Sequence, residues 1–295
     1  MLNKHTTKRM WIKLAVIALF ALLPLIFAAS QTAATMQTAE NGIADFDPGN
    51  FSNPTKITNP FLPLKPRTQF TYVGFTVDDA GDQIPHEVVT TVTDLSKEIC
   101  DGLEALVVYE EDLSDGELEE AEFFLVGQDK DGNVWRFGEY TEAYDPETGE
   151  FLGGKAFFVC HLDGAQAGIA MLADPSLESP QYSQGFAPEP IGFTDKGEVV
   201  AVDETVSVPF GDFADVLEIR ETNEEEPDAF QSKFYAEGVG LIRVGGGDVQ
   251  QETLELESIE KLGDEAMAAV REEVLALEAR GNVVGSTEPA ERMEK

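Results

Sequence analysis

From Gln69 to Tyr144 the chain repeats one pattern: a run rich in Val, Thr, Phe and Tyr, then a tight polar turn. Gln69–Val77 ends at Asp78-Asp79-Ala80-Gly81-Asp82. His86–Leu95 follows, then Leu103–Leu113, which Ser114-Asp115-Gly116 turns into Glu117–Gln128. Asp131-Gly132-Asn133 leads to Val134–Tyr140, and Asp145-Pro146-Glu147-Thr148-Gly149 reverses the chain again. Turns this short make consecutive segments antiparallel neighbours, which is a meander. A long row of neighbours twists and curls. The pattern therefore predicts an all-β fold, a strongly curved antiparallel sheet or incomplete barrel with a concave face.

Gly153–Gly192 is less regular. One strand is expected at Lys155–His161, then loops rich in Gly and Pro. Strands resume at Glu198–Asp203, Thr205–Val208, Ala214–Thr222, Ala229–Tyr235, Leu241–Val244 and Thr253–Ile259. The period then changes. Ile259, Leu262, Ala266, Val270, Val274 and Leu277 recur at three- and four-residue steps, the signature of an amphipathic helix. Asp264 and Glu265 suit its N-terminus, and Arg280-Gly281 its C-terminus. The expected layout is a signal peptide (1–30), a flexible linker (31–54), a β domain (55–260), a C-terminal helix (261–281) and a disordered tail (282–295).

The signal peptide rests on Lys4, Lys8, Arg9 and Lys13 preceding the apolar run Leu14–Ala29, with small residues after it. The run is shorter than the ~20 residues that span a bilayer and contains Pro24, so cleavage near Ala28–Ala34 is expected. An uncleaved N-terminal anchor is the alternative. The location is then secreted or periplasmic, with no membrane span after cleavage. Net charge is −36, from 56 acidic against 20 basic residues. A field of that sign repels nucleic acid and anionic headgroups. Cys100 and Cys160 are the two cysteines. In an oxidising compartment they pair as a disulfide or stand as two buried thiols, and sequence leaves both open.

Three stretches carry a family resemblance. They are Asn59-Pro60-Phe61-Leu62-Pro63-Leu64-Lys65-Pro66, Gln128-Asp129-Lys130-Asp131-Gly132-Asn133-Val134-Trp135-Arg136-Phe137-Gly138-Glu139, and Phe234-Tyr235-Ala236-Glu237-Gly238-Val239-Gly240-Leu241. In this order they resemble a widespread set of secreted bacterial proteins of unknown function, over roughly residues 55–245. Arg67 stands where that pattern has Gly, and Glu237 where it has Pro. The resemblance implies an extracytoplasmic β domain and carries no activity.

Candidate chemistry is sparse. Trp135, Phe137, Tyr140 and Phe157, on adjacent expected strands, line an apolar cleft on the concave face or form an ordinary core. Asp129, Asp131 and Asn133 place oxygens at alternate positions as a Ca2+ loop does. The Gly stands fourth rather than sixth, however, and Tyr140 holds the twelfth place, so a solvated Asp-Gly turn is the plainer reading. No other cofactor is expected. Acids crowd Glu110–Glu122, where antiparallel pairing sets like charges opposite one another. A solvated edge is the expected resolution, and a divalent-cation surface the alternative. His161 beside Cys160, with Asp163 near, is the one arrangement that resembles a Cys–His pair, although neighbours on a strand point to opposite faces. No Gly-x-Ser-x-Gly elbow is present, and Gly245-Gly246-Gly247 lacks the Lys-Ser/Thr of a phosphate loop.

The function expected from sequence is an exported, non-catalytic protein binding an apolar or lipid-like ligand on its concave face. An envelope protein-interaction module and an extracytoplasmic hydrolase are the alternatives. The leader is directly testable. Expressed in full in a bacterium, the chain should be recovered from the extracytoplasmic fraction with a new N-terminus between Ala29 and Ala34. A cytosolic product retaining Met1 would contradict this.

Overall fold

The structure, a computed structural model, describes residues 45–77, 81–100, 102–224, 229–245, 253–281 and 288–293. The leader, linker residues 31–44, the turn at 78–80, Gly246-Gly247 and tail residues 282–287 and 294–295 lie outside the described residues.

Two antiparallel meanders build the sheet. The first is β1 (Thr68–Val77), β2 (Gln83–Cys100), β3 (Leu103–Ser114), β4 (Glu117–Gln128) and β5 (Val134–Tyr144), each paired with the one before. β6 (Phe151–Phe158) and β7 (Gln166–Met171) pair with different parts of β5. Two short strands follow, β8 (Tyr182–Ser183) and β9 (Gly185–Phe186). The second meander is β10 (Lys196–Val208), β11 (Gly211–Thr222), β12 (Gln231–Ala236), β13 (Gly240–Gly245) and β14 (Thr253–Lys261).

β14 pairs with β1, joining the meanders along one side. On the other side the single segment Tyr182–Phe186 bonds to β10 through β8 and to β7 through β9. The sheet is thus a nearly closed barrel with one thin seam, as the curved-meander pattern predicts. The seam falls where the sequence reads as loops. A Cβ at Gly168 would collide with the Gly185 amide and the Ser183 carbonyl. The glycines that disguise these strands are what let the backbones meet.

Strand alternation gives the barrel two apolar layers. Leu106 and Val108 face inward with Val92, Val126, Val134 and Met171, against Val199, Val216, Ile219, Ile242, Leu254 and Leu256 from the second meander. Ala105, Val107 and Tyr109 face outward with Leu95, Phe123 and Leu125. The helix α1 (Asp264–Gly281) covers that outer layer, burying Met267, Val274 and Leu277. Lys97, 1% exposed, bonds to Glu278 Oε1 at 2.5 Å and to the Glu288 carbonyl at 2.7 Å. Glu278 Oε2 accepts from the Ala290 amide at 3.0 Å. The tail segment 288–293, expected to be disordered, is therefore pinned, and β15 (Glu291–Arg292) pairs with β2. A charged anchor of this kind leaves no hydrophobic pattern to read. Cys100 and Cys160 form a disulfide with Cα atoms 5.9 Å apart.

Residues 45–54, expected as linker, are packed as well. Phe46 and Phe51 flank a short 3-10 turn (Pro48–Asn50), and both rings lie within 6.2 Å of Trp135 and Phe137. Beyond them the Pro-rich arm seals one end of the barrel. Asn59, 1% exposed, is its hub. Its Nδ2 donates to the Gly132 and Leu172 carbonyls at 3.0 and 2.9 Å, and its Oδ1 accepts from the Phe61 and Leu62 amides at 2.9 and 3.1 Å. The Gly238 amide donates to the Pro60 carbonyl at 2.7 Å.

All three resemblance stretches thus meet at this one end. Arg67 has φ 73°, a left-handed conformation where Gly is unstrained, and it is tied down by Asp264 at 2.7 Å. Glu237 precedes Gly238 (φ 76°) in a turn closed by Val239 N to Ala236 O, a place that suits Pro.

Asn59→Ala strands two carbonyls and two amides, each costing on the order of 1 kcal/mol or more. Urea denaturation should show a loss of about 2–4 kcal/mol. A loss under about 0.5 kcal/mol would show that the plug does not depend on this side chain.

Candidate functional site: the acidic interior of the barrel

The arm lies at the end where β4 passes into β5 and β12 into β13. Moving from there along β3, the inward residues are Leu106, Val108, Glu110 and Asp112. Along β4 they are Val126, Phe124, Glu122 and Glu120. The register sets Glu110 against Glu122 and Asp112 against Glu120. The acids expected at a solvated edge therefore lie on central strands, and every second one points into the barrel. That is a correction, and its cause is closure of the sheet.

A register shift in β5 at Gly138 completes the wall. Arg136 points inward before it, and Glu139 and Thr141 point inward after it. Thr90 donates to Glu110 Oε2 at 2.5 Å, Thr141 to Glu122 Oε2 at 2.9 Å, and Arg136 pairs with Glu139 at 2.7 Å. His86 Nε2 lies 2.5 Å from Asp112 Oδ1. From the second meander, Lys233 pairs with Glu221 at 2.6 Å, and Gln184 Nε2 bonds the other Glu221 oxygen at 2.6 Å. The Lys233 charge acts on Glu110 and Glu122, so the two walls face each other. Arg136 lies over the Phe124 and Phe193 rings, 5.2 and 5.8 Å from their centroids.

These groups are enclosed by protein, yet Arg136, Lys233, Glu139 and Glu221 keep 14–24% of their side-chain surface accessible. Water-sized space therefore reaches them. Burial raises the Glu110 carboxyl to about 7, with the Glu122 charge adding to it and the Thr90 hydrogen bond opposing it. Glu139 is likewise raised to about 7 by burial, against the pull of Arg136. Burial pushes Glu120 and Glu122 upward too. Lys233 is raised despite burial, because Glu221 holds its proton. Tyr182 borders the same space. It is 3% exposed, lies against Gly197, interacts electrostatically with Tyr235 and Glu221, and its hydroxyl has no hydrogen-bond partner among the described residues.

The aromatic set from the sequence is divided. Trp135, Phe137 and Tyr140 are buried in the outer layer beneath Phe46, Phe51 and the helix side. Phe157 packs apart from them on Phe193, with ring centroids 4.8 Å apart. Tyr140 also donates to Glu142 at 2.8 Å, where Tyr144 and Arg280 converge on the same carboxylate.

The Asp129 loop is saturated by N–H donors. Its Oδ1 accepts from the Asp131 and Asn133 amides at 3.0 and 2.8 Å, and its Oδ2 from Asn133 Nδ2 and Trp135 Nε1 at 3.0 and 2.8 Å. Asp131 accepts from Asn50, and Asn133 Oδ1 from the Ala173 amide. The loop is a structural clasp. Among the described residues no group of three or more His, Cys, Asp or Glu is placed to hold a metal ion. His161 Nε2 lies 2.8 Å from the Ile99 carbonyl, and its neighbour Cys160 is oxidised. A cavity of about 580 Å³ lies at the plugged end beside Ile57, Pro60, Pro63, Leu64, Pro66 and Gly238.

Sequence reasoning missed Arg136, Lys233, Gln184 and Tyr182. The signal available was parity, since Glu110 and Asp112 share a face with the apolar Leu106 and Val108. No helix among the described residues is long and apolar enough to cross a membrane. No family model matches the chain, and no curated protein matches it. Among solved structures, a "putative lipoprotein" from Parabacteroides distasonis ATCC 8503 is similar at 12% identity, over 68% of this chain and 99% of that one, with a TM-score of 0.35.

Carboxyls raised in the folded state bind protons that the unfolded chain has released. Stability from Glu110 and Glu139 is therefore full below about 4.5 and is lost as pH rises towards 7. Urea denaturation should show the protein less stable at pH 8 than at pH 5, by on the order of 1–3 kcal/mol. Glu110→Gln should flatten that difference. Equal stability at the two pH values in wild type would contradict the assignment.

Proposed function

We propose that this chain is an exported, non-catalytic binding protein that holds a small polar molecule in the charged half of its barrel. The leader supports export. The observation that carries the binding reading is the pair of cross-strand carboxylate rungs, Glu110–Glu122 and Asp112–Glu120, on an inner wall that water reaches. Like charges set opposite one another cost stability, and local rules are broken in this way at functional sites. Thr90, Thr141 and Arg136 fix Glu110, Glu122 and Glu139 as oriented acceptors.

This reading departs from the apolar or lipid-like ligand expected from sequence, because three of the four residues behind that expectation, Trp135, Phe137 and Tyr140, are packed in the outer layer, and Phe157 is covered by Phe193. A helix-mediated partner is also less favoured, since Met267, Val274 and Leu277 are spent on the barrel.

Native mass spectrometry of protein purified from its own compartment tests the proposal. A small-molecule adduct is expected on wild type and should be lost in Thr90→Phe, which fills the interior, while far-ultraviolet circular dichroism stays unchanged. No adduct on wild type, or an adduct retained in folded Thr90→Phe, would refute interior binding.

A further inference from the structure

We infer that the interior is built for a linear aliphatic diamine, a class of ligand chosen by its two rungs of paired carboxylates and its unpartnered Tyr182 hydroxyl. This deepens the reading above and rests on it. The argument begins with charge. Among the described residues Glu110, Asp112, Glu120, Glu122, Glu139 and Glu221 face the same space as two cations, Arg136 and Lys233; Arg136 is bonded to Glu139 and Lys233 to Glu221, and both charges also reach Glu122. The rungs Glu110–Glu122 and Asp112–Glu120 have Thr90, Thr141 and His86 as close partners, and no lysine or arginine among the described residues is bonded directly to them. Cationic groups placed there would turn a repulsive arrangement into a charge-paired one, with charge-assisted hydrogen bonds stronger than neutral ones.

Spacing narrows the class. Glu110 and Asp112 are two residues apart on one strand, as are Glu120 and Glu122. Side chains two apart share a face and repeat every ~7 Å. The two rungs are therefore about 7 Å apart, the distance between the nitrogens of an extended four- or five-carbon diamine. A single amine would fill one rung only.

Tyr182 supplies an observation independent of the acids. Its buried hydroxyl lacks a partner among the described residues and feels the charges of Tyr235 and Glu221, and a buried unsatisfied polar group is costly unless something completes it. An ammonium donor meets that need. Aromatic faces also attract cations. Arg136 over Phe124 and Phe193 shows the wall already uses that contact.

The test is isothermal titration calorimetry on the leaderless chain with its disulfide intact. The probes are 1,4-diaminobutane, 1,5-diaminopentane, 1-aminobutane and glucose, in low salt at pH 8. One diamine should bind per chain, at least tenfold more tightly than 1-aminobutane, with no heat from glucose. Glu122→Gln should weaken diamine binding at least tenfold, and Glu120→Gln serves the same purpose should the first variant not fold. Glu272→Gln, an exposed acid on α1, should leave binding unchanged, which separates a site from general attraction to an acidic chain. At pH 6.5 the binding heat should vary with buffer ionisation enthalpy, because a cation displaces protons from Glu110 and Glu139. Absence of diamine binding, or equal weakening by Glu122→Gln and Glu272→Gln, overturns the inference. If diamines fail while the native adduct persists and is lost in Thr90→Phe, the ligand class is wrong and interior binding stands.

Discussion

Backbone pairing between β1 and β14, from Thr68 against Lys261 to Phe75 against Thr253, brings opposite ends of the β domain together. The segment Tyr182–Phe186 does the same on the far side. Those two joints give the sheet an inside and an outside. Once they form, strand alternation assigns every residue of β3 and β4 to one environment or the other. Ala105, Val107 and Tyr109 go beneath the helix, whereas Leu106, Val108, Glu110 and Asp112 go into the barrel. In an open sheet the same acids would face solvent and titrate normally. Enclosure raises Glu110 and Glu139.

The barrel is accordingly divided along its length. Its sealed half is apolar and plugged by the arm around Asn59, where the three resemblance stretches converge. Its other half carries carboxylates in rungs. Burying ionisable groups of one sign opposes folding, so the apolar half, the helix and the disulfide must hold the ring shut against that repulsion. The outer face uses charge differently. Lys97 with Glu278, and Arg280 with Glu142, are matched pairs that fasten the helix. The interior has matched pairs too, Arg136 with Glu139 and Lys233 with Glu221, but its Glu110–Glu122 rung is held by threonine hydroxyls, and that separates candidate binding charge from structural charge.

Much of this fold is legible in the sequence. The five strands of the first meander, the curl they imply and the helix at Asp264–Gly281 all follow from turn chemistry and period. The candidate site is not, for reasons that can be named. Arg136 and Lys233 are nearly a hundred residues apart, and nothing local signals that they face one another. The inward turn of Glu139 depends on a one-residue register shift at Gly138. The strands at the seam are masked by Gly168 and Gly185, which are there for close approach. Phe46, Phe51 and Ala290 lie in segments too polar to look packed, because a few anchoring contacts rather than a continuous apolar face hold them. Of the aromatic quartet, Trp135, Phe137 and Tyr140 fill the outer core, the plainer of the two readings the sequence offers, while Phe157 lies opposite Glu139 in the register and packs on Phe193.

The central claim is that closure places acidic side chains in a water-reachable interior of raised proton affinity. Carboxyl carbon-13 nuclear magnetic resonance, following each glutamate through a pH titration, tests it most directly. The account predicts two glutamate resonances with midpoints near 7, assigned to Glu110 and Glu139 by their loss in Glu110→Gln and Glu139→Gln. Glutamate midpoints confined to the ordinary range around 4–5 would contradict it.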